Sequence, residues 1–378
     1  MKKKVGIITF HASHNYGSML QAYALQQVVL GMGFDCEIIN FRTNRQKKFY
    51  QLGFQRGTML GRIKRFLLLM PYCKCLLNQY RLFEDFLKKD LLLTIKEYSS
   101  LSELEAEKFN FDFFISGSDQ IWNTSCLDFD WAYFLPFVHS GKIISYAASM
   151  GWNAEKSISS SYRDQIKTLI TSYSALSVRE EGTFQWIKKN CNYDAKINLD
   201  PTLLLGLQDW NEMIPPTPIV EGDYIFVYSP FFNYNVLKLA DRLSKYYRMK
   251  VVLTQVYDSD MFDLYKFLLF NKRFVVKLNV GPKEFLNLCK YSKLVCSGSF
   301  HMVIFSILLH TPFLVLDGMG DNRIRNVLDI TGLQSRSVSS DVLLDPKNNL
   351  FDMDFYTADY QINILRMDSL SWLKSVLK

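Results

Sequence analysis

Short apolar runs alternate along the chain with longer amphipathic stretches, and polar residues gather where the runs end. Val5 to Phe10 is the first run, with the length and composition of a strand buried on both faces. After the polar loop His11 to Gly17, Leu25, Val28, Val29 and Met32 fall on one face of a helix that Gly33 stops. Cys36 to Asn40 is the next strand. Strand, loop, helix and strand joined so closely form a βαβ unit, which predicts a parallel sheet. Phe111 to Ile115, Ile143 to Ala147, Ala175 to Val178 and Ile197 to Leu199 extend it, and Pro215, Pro216 and Pro218 mark a linker. The pattern then restarts with strands at Tyr224 to Tyr228, Val251 to Thr254, Val275 to Leu278, Leu294 to Ser297 and Phe313 to Leu316. Helices are expected near 235–247, 282–290 and 302–310.

This pattern predicts an α/β protein of two Rossmann-like, doubly wound domains with a ligand cleft between the carboxyl ends of their strands. The expected division is 1–215, 216–350 and a helical segment 351–378 that packs back on the first domain. Residues 43–105 form a basic helical insertion in that first domain.

Composition narrows the class. The chain has 378 residues, 48% of them hydrophobic and 21% charged, as in a globular protein. No stretch has the roughly 20 apolar residues of a membrane span, and Lys2 to Lys4 are followed by no signal-peptide pattern. Seven scattered cysteines suit a reducing compartment and predict a cytoplasmic location, with no zinc spacing among them. The net charge is +7, yet residues 45–90 alone carry eleven Lys and Arg against Glu84, Asp85 and Asp90. So local an excess argues against a nucleic-acid binder. Interleaved with Phe49, Phe54, Ile63 and Phe66 to Met70, it suits either contact with an anionic membrane or a solvated helical face.

The chemistry lies in four loops that follow strands. The first carries Asn15, Tyr16 and Gly17 at a helix start, where free N–H groups favour an anion but Asn is also a routine cap. The second holds Ser118, Asp119, Gln120 and Trp122, with Asp119 suited either to orienting a hydroxyl or to shaping a turn. The third brings Arg179, fit for bidentate carboxylate or phosphate binding or for a salt bridge. The fourth, Ser297 to His301 with Ser299, offers an imidazole, the commonest acid–base side chain, though a buried structural histidine fits the spacing as well. No metal site is expected.

In order along the chain stand Gly6 to His11, Asn15-Tyr16-Gly17, Leu20 to Leu25, Gly117 to Asn123, Ser177 to Glu180 and Asp200 to Leu203. Gly281 to Phe285, Ser299-Phe300-His301, Phe305 to Ile307 and Asp321 to Ile324 complete the series. As a set these motifs resemble the polysaccharide pyruvyl transferases over roughly residues 5–335. The resemblance implies a GT-B-like fold and transfer of a pyruvyl group from phosphoenolpyruvate, as donor substrate rather than cofactor, to a hydroxyl pair of a sugar, free or lipid-linked, in cell-surface polysaccharide synthesis. It implies His301 as the general acid and Arg179 as a donor ligand. Characterised members carry Arg two residues before that histidine and Gly just after it, where this chain has Ser299 and Met302. Arg323 is the candidate replacement cation. A nucleotide-sugar glycosyltransferase and a non-catalytic glycan- or lipid-binding scaffold are the competing readings on the same fold.

Overall fold

The computed structural model describes residues 2–52, 59, 63, 66, 70–229, 233–254, 271–339 and 350–378. Two compact units divide the chain. The first comprises residues 1–51, 84–205 and 363–378, and the second 52–83 and 206–362.

The first unit is built on a six-stranded parallel sheet. Its strands are β1 (Lys4–Ile8), β2 (Asp35–Ile38), β3 (Phe113–Ser116), β4 (Lys142–Ala148), β5 (Ala175–Val178) and β6 (Lys196–Ile197), in the order β2-β1-β3-β4-β5-β6. Val5, Ile7, Ile8 and all of β3 are buried, as central strands covered on both faces must be. The strand order reverses between β1 and β3, and in such sheets the carboxyl ends at the reversal are where ligands bind.

The helix after β1, Tyr16–Gly31, is buried around most of its circumference rather than along the single face that its periodicity predicts. It packs on β2 and on the Pro201–Leu203 turn. Its buried Gln26 is therefore paired with backbone, accepting from Leu92 N at 2.9 Å and donating to Leu92 O at 2.8 Å.

The second unit repeats the plan with β7 (Tyr224–Tyr228), β8 (Lys250–Leu253), β9 (Phe274–Val276), β10 (Leu294–Ser297), β11 (Phe313–Leu316) and β12 (Ser337–Val338). All are parallel, in the order β12-β11-β10-β7-β8-β9. Here the order reverses between β7 and β10. Helices Tyr234–Tyr247, Pro282–Lys290, Phe300–Leu308 and Asn322–Thr331 stand where the pattern of apolar residues predicts the first three; the fourth and β12 carry too few apolar residues to stand out.

The boundaries differ from those expected. The chain passes from the first unit to the second after Leu205, not at the proline cluster. That cluster belongs to the second unit, because Asn287 donates to the carbonyls of Pro215 and Thr217, each at 2.9 Å. Residues 52–83 of the basic segment also group with the second unit. Tyr72 and Leu76 pack against its core, and Gln79 reaches Val280 O at 3.4 Å. The last helix is Tyr356–Val376. Its carboxyl-terminal half lies on the first unit, where Arg366 donates to Leu203 O at 2.6 Å and Trp372 meets Tyr146.

Candidate functional site

In the first unit the loops after β1 and β3 are stitched into one polar network. Thr9 Oγ1 donates to Ser118 O at 3.0 Å, and Gln21 Nε2 donates to Thr9 Oγ1 and to Ser18 O, both at 2.9 Å. Gly117, at φ +143°, lies so close to β4 that an added Cβ would stand 2.0 Å from Tyr146 O. Only glycine fits there.

Asp119 lies at the centre of this network with its backbone at φ 69°, in the left-handed region that Asp tolerates. Its Oδ2 accepts from Ser18 Oγ at 2.5 Å and its Oδ1 from Gln120 N at 2.8 Å. Arg179 approaches Oδ1 at 3.8 Å, but its closer partners are Asp200 at 2.9 Å and Glu180 at 3.3 Å. Burial alone would lower the Arg179 pKa. The carboxylates of Glu180, Asp200 and Asp119 more than offset that, so the guanidinium stays charged. Asp200 in turn accepts from Thr202 N and Oγ1, at 3.0 and 2.7 Å.

These contacts reassign several expected site residues. Tyr16 and Trp122 are core side chains, fully buried; the Trp122 indole stacks on Phe134 and donates to Ser116 Oγ at 3.2 Å. Neither has surface to offer a substrate. Asn15 is a helix cap, accepting from Gly17 N at 3.0 Å and Ser18 N at 3.3 Å, and Gly17 is buried behind it. Ser118 is buried and donates to Ala147 O at 2.8 Å. Asp119 has both oxygens engaged within the protein, which suits positioning rather than proton abstraction from a sugar. Gln120 alone in this loop's expected set is partly exposed.

Two features beside β1 went unread in the sequence. His14 Nε2 bonds Glu84 Oε1 at 2.9 Å, and Arg42 grips the same carboxylate with two nitrogens, at 2.9 and 3.2 Å. Burial would raise the Glu84 pKa, but His14 and Arg42 hold it down to about 2. Asp128 is buried and accepts from Ser13 Oγ at 2.9 Å and Tyr50 OH at 2.7 Å. Desolvation pushes its pKa up. His14 was visible in the first loop; Glu84 stood out only as a rare acid in a basic stretch. His11 is buried as well, bonded to Thr9 O at 3.1 Å, with its pKa lowered by desolvation to about 4.

In the second unit the turn from β10 to helix Phe300–Leu308 holds the remaining residues. Ser297 Oγ donates to Tyr228 O at 2.5 Å and accepts from Ser299 N at 3.0 Å, tying together the ends of β7 and β10. Ser299 occupies the helix N-cap position, yet its side chain makes no capping bond. His301 lies in the first turn, its ring 5.2 Å from that of Phe300. Arg323 lies over the same Phe300 ring at 5.6 Å, held by Asp321 through Nε at 3.1 Å and Nη2 at 2.6 Å. His301, Phe300 and Arg323 thus form one cluster at the sheet's reversal point.

A cavity of about 700 Å³ runs beside edge strand β2, lined among others by Lys4, Asp35, Glu37, Leu92 and Ile95. None of the expected site residues lines it. Among the described residues no three His, Cys, Asp or Glu are grouped to hold a metal ion, and no helix is long and apolar enough to cross a membrane.

The family model of polysaccharide pyruvyl transferase matches residues 15–318. The chain belongs to that family. It is therefore a transferase by family, and the match takes in Asp119, Arg179 and His301 but stops short of Arg323. No curated protein matches the sequence. Among solved structures the fold resembles MnaA of S. aureus, determined with UDP, at 12% identity and TM-score 0.50 over 97% of each chain. UDP-GlcNAc 2-epimerase from Methanocaldococcus jannaschii is similar at 14% identity and TM-score 0.48, over 97% of this chain and 99% of that one. Acinetobacter baumannii MurG follows at 11% and 0.41, over 100% and 99%. At such identities the likeness concerns the fold: this pyruvyl transferase family member has the two-unit α/β architecture of the GT-B type.

Proposed function

We propose that this family member transfers the pyruvyl group of phosphoenolpyruvate to two hydroxyls of a sugar, with His301 as the general acid. The observation that carries the reading is the β10 turn: an imidazole in the first turn of a helix whose cap side chain leaves its start unclosed, with Arg323 beside it. Phosphoenolpyruvate is a compact polyanion, and a helix start with a guanidinium nearby is suited to it. Ser299 stands where characterised relatives carry Arg, and Arg323 supplies the nearby cation in its place.

The reaction balances as follows. Protonated His301 delivers its proton to the methylene carbon of phosphoenolpyruvate, making the methyl group and leaving C2 electron-poor. One sugar hydroxyl adds to C2 and returns its proton to the imidazole. The C2–O bond to phosphate then breaks, and a second hydroxyl adds, its proton leaving with inorganic phosphate. The products are a cyclic pyruvate ketal and phosphate. Arg179 acts in this scheme as a positioning residue, holding Asp119 and the loops after β3, β5 and β6.

Thermal melting with phosphoenolpyruvate and with nucleotide sugars tests the donor. A ligand at 100 times its Kd stabilises by about 2.7 kcal/mol, so phosphoenolpyruvate should raise the melting temperature by several degrees and UDP-sugars should not. Stabilisation by a UDP-sugar alone would favour a glycosyltransferase instead.

A further inference from the structure

Between Arg45 and Phe83 the sequence contains no acidic residue, and the part within the second unit, 52–83, carries Arg56, Arg62, Lys64, Arg65, Lys74 and Arg81. Within that part, Met59, Ile63, Phe66, Met70, Lys74, Leu77 and Arg81 are all exposed, Met59 to 80% and Met70 to 57%. They recur every three or four positions, the spacing of a helix face, with Lys74, Leu77 and Arg81 on the helix Cys73–Lys89 that follows the turn Met70–Tyr72. Opposite Lys74, Leu77 and Arg81 the segment is covered by the second unit. Tyr72 and Leu76 pack on the second unit's core, Gln79 reaches Val280 O, and Leu82 lies against Gly281. The outward stripe is thus apolar at its start and mixed apolar and basic towards Arg81.

Exposed Met, Ile and Phe at regular helical spacing cost hydrophobic free energy in water and mark a surface that another apolar phase covers. Lys74 and Arg81 are exposed on this stripe, and the sequence from Arg45 to Phe83 contains no acidic residue to meet the cations of a protein partner. An anionic bilayer satisfies both features at once, because acyl chains receive the apolar side chains while headgroup phosphates face Lys and Arg. We propose that the exposed stripe Met59-Ile63-Phe66-Met70-Lys74-Leu77-Arg81 docks the protein on an anionic lipid surface. This inference stands apart from the chemistry at His301, and either can fail without the other.

Flotation of the purified full chain with vesicles of phosphatidylcholine alone, and of phosphatidylcholine with phosphatidylglycerol, tests it. The wild type should float with the anionic vesicles at low salt, lose most binding at high salt as the charges are screened, and leave neutral vesicles largely unbound. Each basic residue near an anionic surface strengthens binding about fivefold, so Lys74→Glu with Arg81→Glu should weaken partitioning at least roughly 30-fold. Ile63→Glu with Phe66→Glu should abolish flotation without lowering the melting temperature, since those side chains are exposed. Absence of wild-type binding to anionic vesicles, equal binding to neutral ones, or unchanged binding of both double variants would each overturn the proposal. So would a wild-type dimer in sedimentation that Ile63→Glu with Phe66→Glu dissociates, which would assign the stripe to a second copy of the chain.

Discussion

The two units place a helix start in the same position, after a strand bordering the reversal of a parallel sheet, and finish it in opposite ways. After β1, Asn15 caps the helix with its own side chain, and the neighbouring β3 loop is packed so tightly that a Cβ at Gly117 would meet Tyr146 O at 2.0 Å. After β10, Ser299 makes no capping bond, and a Cβ at Gly298 would meet nothing within 4 Å. Electrostatics follow the same division. Arg179 in the first unit has Asp200, Glu180 and Asp119 around it, an excess of negative charge unsuited to an anionic substrate. Arg323 in the second is matched with one carboxylate, Asp321. A shared topology therefore does not make two equivalent loops: the first reversal point is filled by bonds within the protein, while the second has a helix start without a side-chain cap, beside His301 and Arg323.

The hardest test of this contrast is His301→Ala. Loss of a general acid costs a factor of roughly 100 to 10,000 in rate, while ground-state binding need not change. Turnover with phosphoenolpyruvate should fall by that factor, with donor-induced thermal stabilisation retained. Near-wild-type turnover in a folded variant would remove His301 from the chemistry.

Next in size is Arg179→Met. Removing one partner of a buried ionic network costs about 3–5 kcal/mol, because Asp200, Glu180 and Asp119 would lose the cation they share. Urea denaturation should show a loss of that order, with the donor KM little changed in whatever fraction stays folded. A variant of full stability that binds phosphoenolpyruvate weakly would reverse the assignment and make Arg179 a donor ligand.

Why Arg179 reads so differently in sequence and structure is a matter of what local pattern encodes. The strands were legible because a parallel sheet buried on both faces demands unbroken apolar runs, and the loops were legible as their polar ends. Ser177 to Glu180 and Asp200 to Leu203 were singled out as separate motifs. Their meaning lies in the 2.9 Å contact between Arg179 and Asp200, which joins residues 21 positions apart across β5 and β6, and no local pattern carries it. Trp122 follows the same rule: it stands in the loop with Asp119 and Gln120, and only the fold shows its indole stacked on Phe134 and fully buried. His14 and Glu84 lie 70 positions apart, so only the fold brings them together. His301 was legible as a candidate because its surroundings are local, a strand, a glycine and a helix start within a few residues.

The finest test sets the two helix starts directly against each other. Replacing an Asn or Ser that caps a helix with Ala costs about 1 kcal/mol, because a first-turn N–H loses its acceptor. Asn15 accepts from both Gly17 N and Ser18 N, so Asn15→Ala should lower stability by roughly 1 kcal/mol, more if burial keeps water from replacing the lost acceptor. Ser299 holds the equivalent position without making the bond. Ser299→Ala should therefore change stability by less than about 0.5 kcal/mol, the range of substitutions that remove no named interaction. Chemical denaturation of the two variants beside the wild type measures both effects on one scale. Equal losses would mean that Ser299 caps its helix in solution as Asn15 does, and the second helix start would then be closed. A clear loss for Asn15→Ala alone would support an open start beside His301, where an anion can take the place of the missing cap.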